Sequence, residues 1–127
     1  MHSLSLDIGK RHTGVAYANS EVGIALPLDT MHHKDDEGLI DAVALLVEKR
    51  NIETLVIGLP LFMSGEESEQ TRYVQDVSER INEACPQCTI EFIDERGTSN
   101  VAPLQKSQDP HAQAATILLS VFLERKA

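Results

Sequence analysis

Polar and apolar residues alternate at the start of the chain, which is the pattern of a β-strand. Residues 3–7 read Ser-Leu-Ser-Leu-Asp and are followed by a break at Gly9, so we predict a strand that ends in a carboxylate. Further strands are predicted at residues 14–19 and 23–28, and the short polar stretches between them predict an antiparallel meander.

The rest of the chain alternates predicted helices with predicted strands. Apolar residues recur at three-and-four spacing in three helical segments, residues 37–50, 66–84 and 112–126. Residues 53–59 contain the continuous apolar run of a buried parallel strand, and residues 89–94 predict one more strand. The order predicts a single α/β domain over residues 1–127, with a mixed five-stranded sheet, its first three strands antiparallel, and helices on its faces.

Composition narrows the functional classes. Hydrophobic residues make up 42% of the 127 residues, which supplies a core for one domain. No apolar run approaches the ~20 residues of a membrane span, and the N-terminus lacks a secretory pattern, so we expect a cytoplasmic protein without a membrane partner. The net charge of −9 disfavours broad, non-specific binding to nucleic acid but not a local basic groove, nor a site whose carboxylates bind cations.

Two short motifs are interpreted as structural. Cys85 and Cys88 follow a predicted helix at the end opposite to the one that stabilises a thiolate. No further zinc ligands lie nearby, so we interpret the cysteines as a loop pair, with redox and metal roles as the lesser alternatives. His32 and His33 are likewise interpreted as an exposed loop pair rather than a metal site.

Acidic residues occur where predicted strands end and where the last helix begins. Asp7 ends the first strand, Asp94 and Glu95 end the last strand, and Asp109 and His111 precede the last helix. Each position also has a purely structural interpretation. Asp7 could be an exposed acid in a hairpin turn, Asp94 and Glu95 could be a solvated pair in a loop, and Asp109 could be a helix N-cap. Taken together, these ends can converge at one edge of the sheet, where carboxylates could hold two divalent cations against a phosphodiester.

The turn after the first strand is basic and glycine-rich. Gly9 lets a metal ion or phosphate approach the backbone, and Gly14 allows a tight return into the second strand. Lys10 and Arg11 lie between them and could contact a nucleic-acid backbone.

With these motifs in order, the chain resembles the YqgF (RuvX) family of candidate Holliday junction resolvases and pre-16S rRNA-processing nucleases. The resemblance covers nearly the whole length. The matching stretches are residues 7–16, 24–28, 56–65, 94–99 and 115–119.

The resemblance implies a ribonuclease H-like fold and a nuclease dependent on Mg²⁺ or Mn²⁺, acting on structured RNA or branched DNA. The catalytic acids that it implies are Asp7, Glu95 and Asp109. The metal ligands that it implies are Asp7, Asp94, Glu95, Asp109 and His111. The residues expected to contact nucleic acid are Gly9, Lys10, Arg11, Gly14, Arg96, Thr98 and Ser99. A homodimer is expected if the substrate is a four-way junction, because two cuts need two sites.

The chain departs from the family pattern at several positions. His12 stands where the family has arginine, and Gly97 replaces leucine. The segment after Ser99 is shorter than usual, and alignment of the last helix puts His111, rather than Asp109, at the third acid. Two alternatives therefore stay open: a non-catalytic relative that binds nucleic acid or protein, and a nucleotide-binding domain of the actin and sugar-kinase type.

Overall fold

One mixed sheet lies between helices in the computed structural model, which describes residues 1–97 and 109–126. The strands are β1 (His2–Asp7), β2 (His12–Asn19), β3 (Leu26–Pro27), β4 (Met31–His32), β5 (Thr54–Leu59) and β6 (Thr89–Asp94). The helices are α1 (Asp36–Arg50), α2 (Glu69–Ala84) and α3 (Pro110–Lys126), and a 3₁₀ turn follows β6 at Glu95–Gly97. The predicted fold class is confirmed.

The strand order places several strand ends at a single edge of the sheet. The order is β3-β2-β1-β5-β6, and β4 pairs with the start of β2. Strands β1, β5 and β6 run parallel, whereas β2 runs antiparallel to β1. The last residues of β1 and β6 and the first residues of β2 therefore lie at the same edge of the sheet.

Each face of the sheet carries its own apolar core. One face packs against α1 and α2 and is built from branched side chains, including Leu4, Leu6, Val15, Leu55, Ile57, Leu39, Val43, Val74 and Ile81. The other face packs against α3 and combines the small residues Ala16, Ala18 and Ala115 with the large side chains of Leu118 and Phe122. Both faces of the central strands are thus removed from water, as expected when helices cover a sheet on both sides.

The alternation in β1 separates two buried faces rather than a buried face and an exposed one. Ser3 and Ser5 are fully buried on the α3 side, and the Ser5 hydroxyl donates a hydrogen bond of 2.6 Å to the Ala115 carbonyl oxygen. A Cβ on Gly14 would lie only 1.8 Å from the His111 carbonyl oxygen. Small residues on β1 and β2 therefore let the backbone of α3 approach the sheet closely.

Local signals fix the helix ends. Asp35 caps α1 by accepting from the Gly38 amide at 2.8 Å, and Asn51 ends the helix in the left-handed conformation, φ 54°. Ser68 and Thr71 form a capping box, so α2 begins at Glu69 rather than at the predicted residue 66. No helix in the described parts of the chain has the length and apolarity needed to cross a bilayer.

The meander differs from the prediction. A strand was predicted over residues 23–28, but only Leu26–Pro27 pairs with β2, because Gly23 adopts a positive φ of 78° and Pro27 has no amide to donate. Met31–His32 forms an additional short strand that pairs with His12 and Thr13. The described sheet therefore has six strands rather than five.

One residue of the histidine pair and both cysteines are buried. His33 is 9% exposed and its Nε2 lies 2.9 Å from the Thr13 hydroxyl, so the exposed-pair interpretation is wrong for this residue. Cys85 ends α2, and it and Cys88 are both buried as free thiols. Burial raises the pKa of both thiols, which makes them poor nucleophiles.

We expect Gly14→Ala to destabilise the protein by about 1–3 kcal/mol or more, because the added methyl group would overlap backbone atoms of α3 that cannot move independently. Urea denaturation followed by circular dichroism measures the change. Gly38→Ala is the matched control, since its Cβ would meet only side-chain atoms, Asp35 Oδ1 at 3.2 Å and His33 Cβ at 3.7 Å, and should change stability by less than about 1 kcal/mol. Equal effects of the two substitutions would contradict the close approach of α3.

Candidate active site

Two carboxyl groups from distant parts of the chain meet at the sheet edge. Asp7 is the last residue of β1, and Glu95 opens the 3₁₀ turn that follows β6. Their side chains are joined by a hydrogen bond. Such a bond requires a proton between the two groups, because ionised carboxylates only accept.

A glycine on the intervening strand makes this contact sterically feasible. Strand β5 lies between β1 and β6, and a Cβ on Gly58 would lie 2.9 Å from Glu95 Oε1 and 2.7 Å from Leu118 Cδ1. The Glu95 side chain therefore extends from the end of β6 across β5 toward β1, and its carboxyl group occupies the space above Gly58. In the sequence, Gly58 is distinguished only as part of a family motif, and no local signal predicts this role.

The environment of Glu95 strongly disfavours its charged form. Burial and the neighbouring Asp7 carboxylate raise the pKa of Glu95 to about 8, with a smaller contribution from Asp94. A divalent cation would relieve the same repulsion that the shared proton relieves, because it supplies positive charge to both carboxylates at once.

Asp94 is directed to a different partner. The Arg96 guanidinium donates to it from Nε at 2.9 Å and from Nη2 at 2.6 Å, and these bonds hold the pKa of Asp94 below its usual range. Arg96 Nη1 also donates to the Met63 carbonyl oxygen at 3.1 Å. Arg96 thus joins the end of β6 to the loop after β5.

Asp109 caps the N-terminus of α3. One carboxylate oxygen accepts from the His111 amide at 2.9 Å, and the other accepts from the Thr30 hydroxyl at 2.5 Å. The Thr30 bond is the main reason why the pKa of Asp109 lies below its ordinary value. The structure therefore places this carboxylate in helix capping and in a tie to the β3–β4 connection.

The His111 side chain lies beside another histidine. Its ring centroid is 5.3 Å from that of His12, and His12 Nδ1 lies 2.8 Å from His32 Nδ1. The three residues come from α3, β2 and β4, so the two-residue strand β4 is what brings His32 to this edge.

The basic turn after β1 is partly engaged within the protein. Arg11 Nη1 donates to the Lys34 carbonyl oxygen at 2.5 Å, and Lys10 Nζ lies 5.8 Å from the centre of the Tyr73 ring. Gly9 is required by the tight turn, because a Cβ there would lie 2.5 Å from the His12 carbonyl oxygen. Thr98 and Ser99, also predicted to contact nucleic acid, lie outside the described residues.

The site as described offers two carboxyl groups to a cation. Within residues 1–97 and 109–126, no set of three His, Cys, Asp or Glu side chains is arranged to hold a metal ion. Of the five predicted ligands, the structure brings together Asp7 and Glu95, and it directs Asp94 to Arg96 and Asp109 to Thr30.

Solved structures share this fold. RuvC of Thermus thermophilus, in complex with a Holliday junction substrate, matches with a TM-score of 0.72 at 13% identity, covering 99% of this chain and 95% of RuvC. The yeast mitochondrial Holliday junction resolvase Ydc2 matches with a TM-score of 0.56 at 9% identity, covering 95% of this chain and 77% of Ydc2. The chain therefore has the ribonuclease H-like fold of RuvC.

Sequence comparisons give the family. A relative in Chloroflexus aurantiacus, described as a candidate pre-16S rRNA nuclease, is 33% identical over 97% of this chain and 86% of its own length. A relative of the same description in Sulfurihydrogenibium sp. is 35% identical over 96% of this chain and 89% of its own length. The family model RuvX, described as Holliday junction resolvase, matches residues 1–125. The chain therefore belongs to the RuvX family of nucleases.

Proposed function

We propose that this chain hydrolyses phosphodiester bonds in structured nucleic acid with the help of a divalent cation held by Asp7 and Glu95. The contact between these two carboxyl groups is the observation that carries the proposal. Two acids that repel each other at one sheet edge form a site that gains free energy by binding a cation.

The chemistry of the donors fits Mg²⁺ or Mn²⁺. Carboxylate oxygens are hard ligands, which these ions prefer, and both ions complete their coordination with water and substrate phosphate oxygens. When bound, such an ion activates water and stabilises the charge that develops on the phosphate.

The remaining residues keep the pair in position. Gly58 keeps the space above β5 free for the Glu95 side chain. Arg96 holds Asp94 and the Met63 carbonyl oxygen, which fixes the turn that carries Glu95. Precise placement of this kind matters, because a shift of about 1 Å in a reacting group can cost a hundredfold in rate.

For the substrate, we propose the immature 5′ end of 16S rRNA, with four-way DNA junctions as the second candidate. The relatives that share 33–35% identity are described as candidate pre-16S rRNA nucleases, whereas the junction-cutting neighbours share 9–13%. A cytoplasmic location accords with the rRNA substrate. Cleavage of a precursor 5′ fragment and of a four-way junction, measured side by side, separates the two substrates, and junction cleavage requires a symmetric dimer in solution.

A non-catalytic role in binding nucleic acid is the second candidate function. It is favoured by the engagement of Asp109 with Thr30 and the His111 amide, and of Arg11 with the Lys34 carbonyl oxygen. Binding of the precursor fragment without cleavage in Mg²⁺ and in Mn²⁺ would support this role. The family match over residues 1–125 favours a nuclease over the nucleotide-binding alternative.

We expect Asp7→Asn and Glu95→Gln each to lower the cleavage rate at least about a hundredfold, because each removes a negative charge that holds the cation. A gel assay with the precursor rRNA fragment and the DNA junction measures the rates in Mg²⁺ and in Mn²⁺. Asp41→Asn, on the exposed side of α1, is the matched control and should cleave like the wild type. Equal cleavage by all four proteins would point to a contaminating nuclease and refute the assignment.

The metal-free protein should lose stability as the pH rises. Because the pKa of Glu95 in the folded protein, about 8, exceeds its ordinary 4.5, the protonated group stabilises the fold at acidic pH, and this contribution is lost as the pH rises from 4.5 to about 8. The Tm of the wild type should therefore fall across this range relative to that of Glu95→Gln. Mg²⁺ or Mn²⁺ at the upper end should raise the Tm of the wild type but not of the variant. Parallel pH profiles for the two proteins would contradict the contact between Asp7 and Glu95.

Gly58→Ala should impair the site and also cost some stability, because its Cβ would lie 2.7 Å from Cδ1 of the buried Leu118. The added methyl group would displace the Glu95 carboxyl group, which lies 2.9 Å from the position of that Cβ, and we expect a fall in rate of up to about a hundredfold. The apparent affinity for Mg²⁺ in the cleavage assay should weaken in parallel. Wild-type kinetics in this variant would mean that the Glu95 carboxyl group does not need the space above β5.

A further inference from the structure

Three histidines form a cluster at the same sheet edge as the carboxyl pair. His12 opens β2, His32 ends β4, and His111 lies in the first turn of α3. The antiparallel pairing of β2 with β4 places His12 directly opposite His32. The rings of His12 and His111 lie 5.3 Å apart between centroids. We call these three residues the histidine cluster.

Two ring nitrogens within the cluster lie in direct contact. Nδ1 of His12 and Nδ1 of His32 lie 2.8 Å apart, so the two nitrogens face each other. In the absence of a metal, one imidazole must donate a proton to the other, which requires at least one neutral ring. Two nitrogens that face each other in this way are also arranged to share a metal ion.

The distance between these two nitrogens is close to the distance between two nitrogens that bind the same metal ion. A tetrahedral metal with bonds of about 2.0–2.1 Å to imidazole nitrogen needs a nitrogen–nitrogen distance of about 3.3 Å. The observed distance must therefore widen by about 0.5 Å, which small rotations of two exposed rings can supply. The backbone that carries these rings is held in place, because the His33 amide donates a hydrogen bond of 3.0 Å to the Arg11 carbonyl oxygen across the β2–β4 pair.

A third ligand is within reach but is not in place. No three donors converge in the described residues, so the preformed part of the site consists of the two imidazoles, and water completes the coordination. His111 can join by rotation about its side-chain bonds, because its ring already lies beside that of His12. His33 is excluded, since it is buried and its Nε2 contacts the Thr13 hydroxyl.

The cluster differs in chemistry from the carboxyl pair. Imidazole suits Zn²⁺, Ni²⁺ and Cu²⁺, whereas carboxylate oxygens suit Mg²⁺ and Mn²⁺. Nearby charge does not prevent binding, because the Asp109 carboxylate accepts from the His111 amide and offsets positive charge at this end of α3. The Arg11 guanidinium is held at the Lys34 carbonyl oxygen.

We propose that His12 and His32 form a second metal site, which takes a transition-metal ion of the Zn²⁺ and Ni²⁺ class and which His111 can close. Such an ion would join β2, β4 and the start of α3 beside the carboxyl pair. The two sites would hold different ions, so occupancy of the histidine cluster does not depend on whether Asp7 and Glu95 support cleavage.

Calorimetric titration of the untagged protein with Ni²⁺ tests this proposal. Excess Mg²⁺ is present throughout, so that the carboxyl groups are occupied by the ion that they prefer. We expect the wild type to bind one Ni²⁺ per chain, and His12→Gln and His32→Gln each to weaken binding at least about tenfold. His111→Gln should weaken it less. Zn²⁺ should raise the Tm of the wild type but not that of His32→Gln.

Two controls separate the histidine cluster from other binding. His2→Gln removes the histidine at the opposite end of β1, beside Tyr17, and should bind Ni²⁺ like the wild type. Asp7→Asn combined with Glu95→Gln should also leave Ni²⁺ binding unchanged, even though it removes the proposed catalytic pair. Unaltered binding in His32→Gln would overturn the proposal, as would loss of binding in the Asp7 and Glu95 variant. Circular dichroism confirms that each variant is folded.

Discussion

The contact between two acidic side chains at one end of the sheet is the constraint on which the site depends. Asp7 and Glu95 repel each other as carboxylates, yet the parallel arrangement of β1, β5 and β6 brings their backbones to the same edge. The packing of both sheet faces supplies the free energy that keeps them there. A protein that maintains such a pair needs either a proton or a cation between the two groups. The fold therefore creates a site with a perturbed pKa, as catalytic sites commonly have.

The two faces of the sheet contribute differently to that arrangement. Branched side chains pack against α1 and α2, which gives the first face its apolar area. Serine, glycine and alanine on the second face allow α3 to lie close to the strands, so that Leu118 packs over Gly58 beside the Glu95 side chain. The position of α3 is therefore part of the site.

Strand and helix positions could largely be predicted from the sequence, since apolar periodicity reports burial directly. Asp7 and the pair Asp94 and Glu95 could be selected because they lie at the ends of predicted strands, and the ends of parallel strands meet at one edge of a sheet. The choice of Glu95 over Asp94 came from the family resemblance. The surroundings could not be predicted in the same way. The role of Gly58 depends on a side chain that crosses over from β6, and the position of His32 depends on a two-residue strand without a periodic signal. Asp109 was ambiguous because an N-cap and a metal ligand require the same residue type at the same place.

The close seating of α3 on the sheet also bears on the order in which the protein can fold during translation. All six described strands precede α3 in the chain, so they are synthesised before this helix. Until α3 arrives, the alanine-rich face and the buried hydroxyls of Ser3 and Ser5 are open to water and to other nascent chains. This face of the nascent sheet is therefore covered only when α3 docks, and its burial is a late step in the formation of the domain.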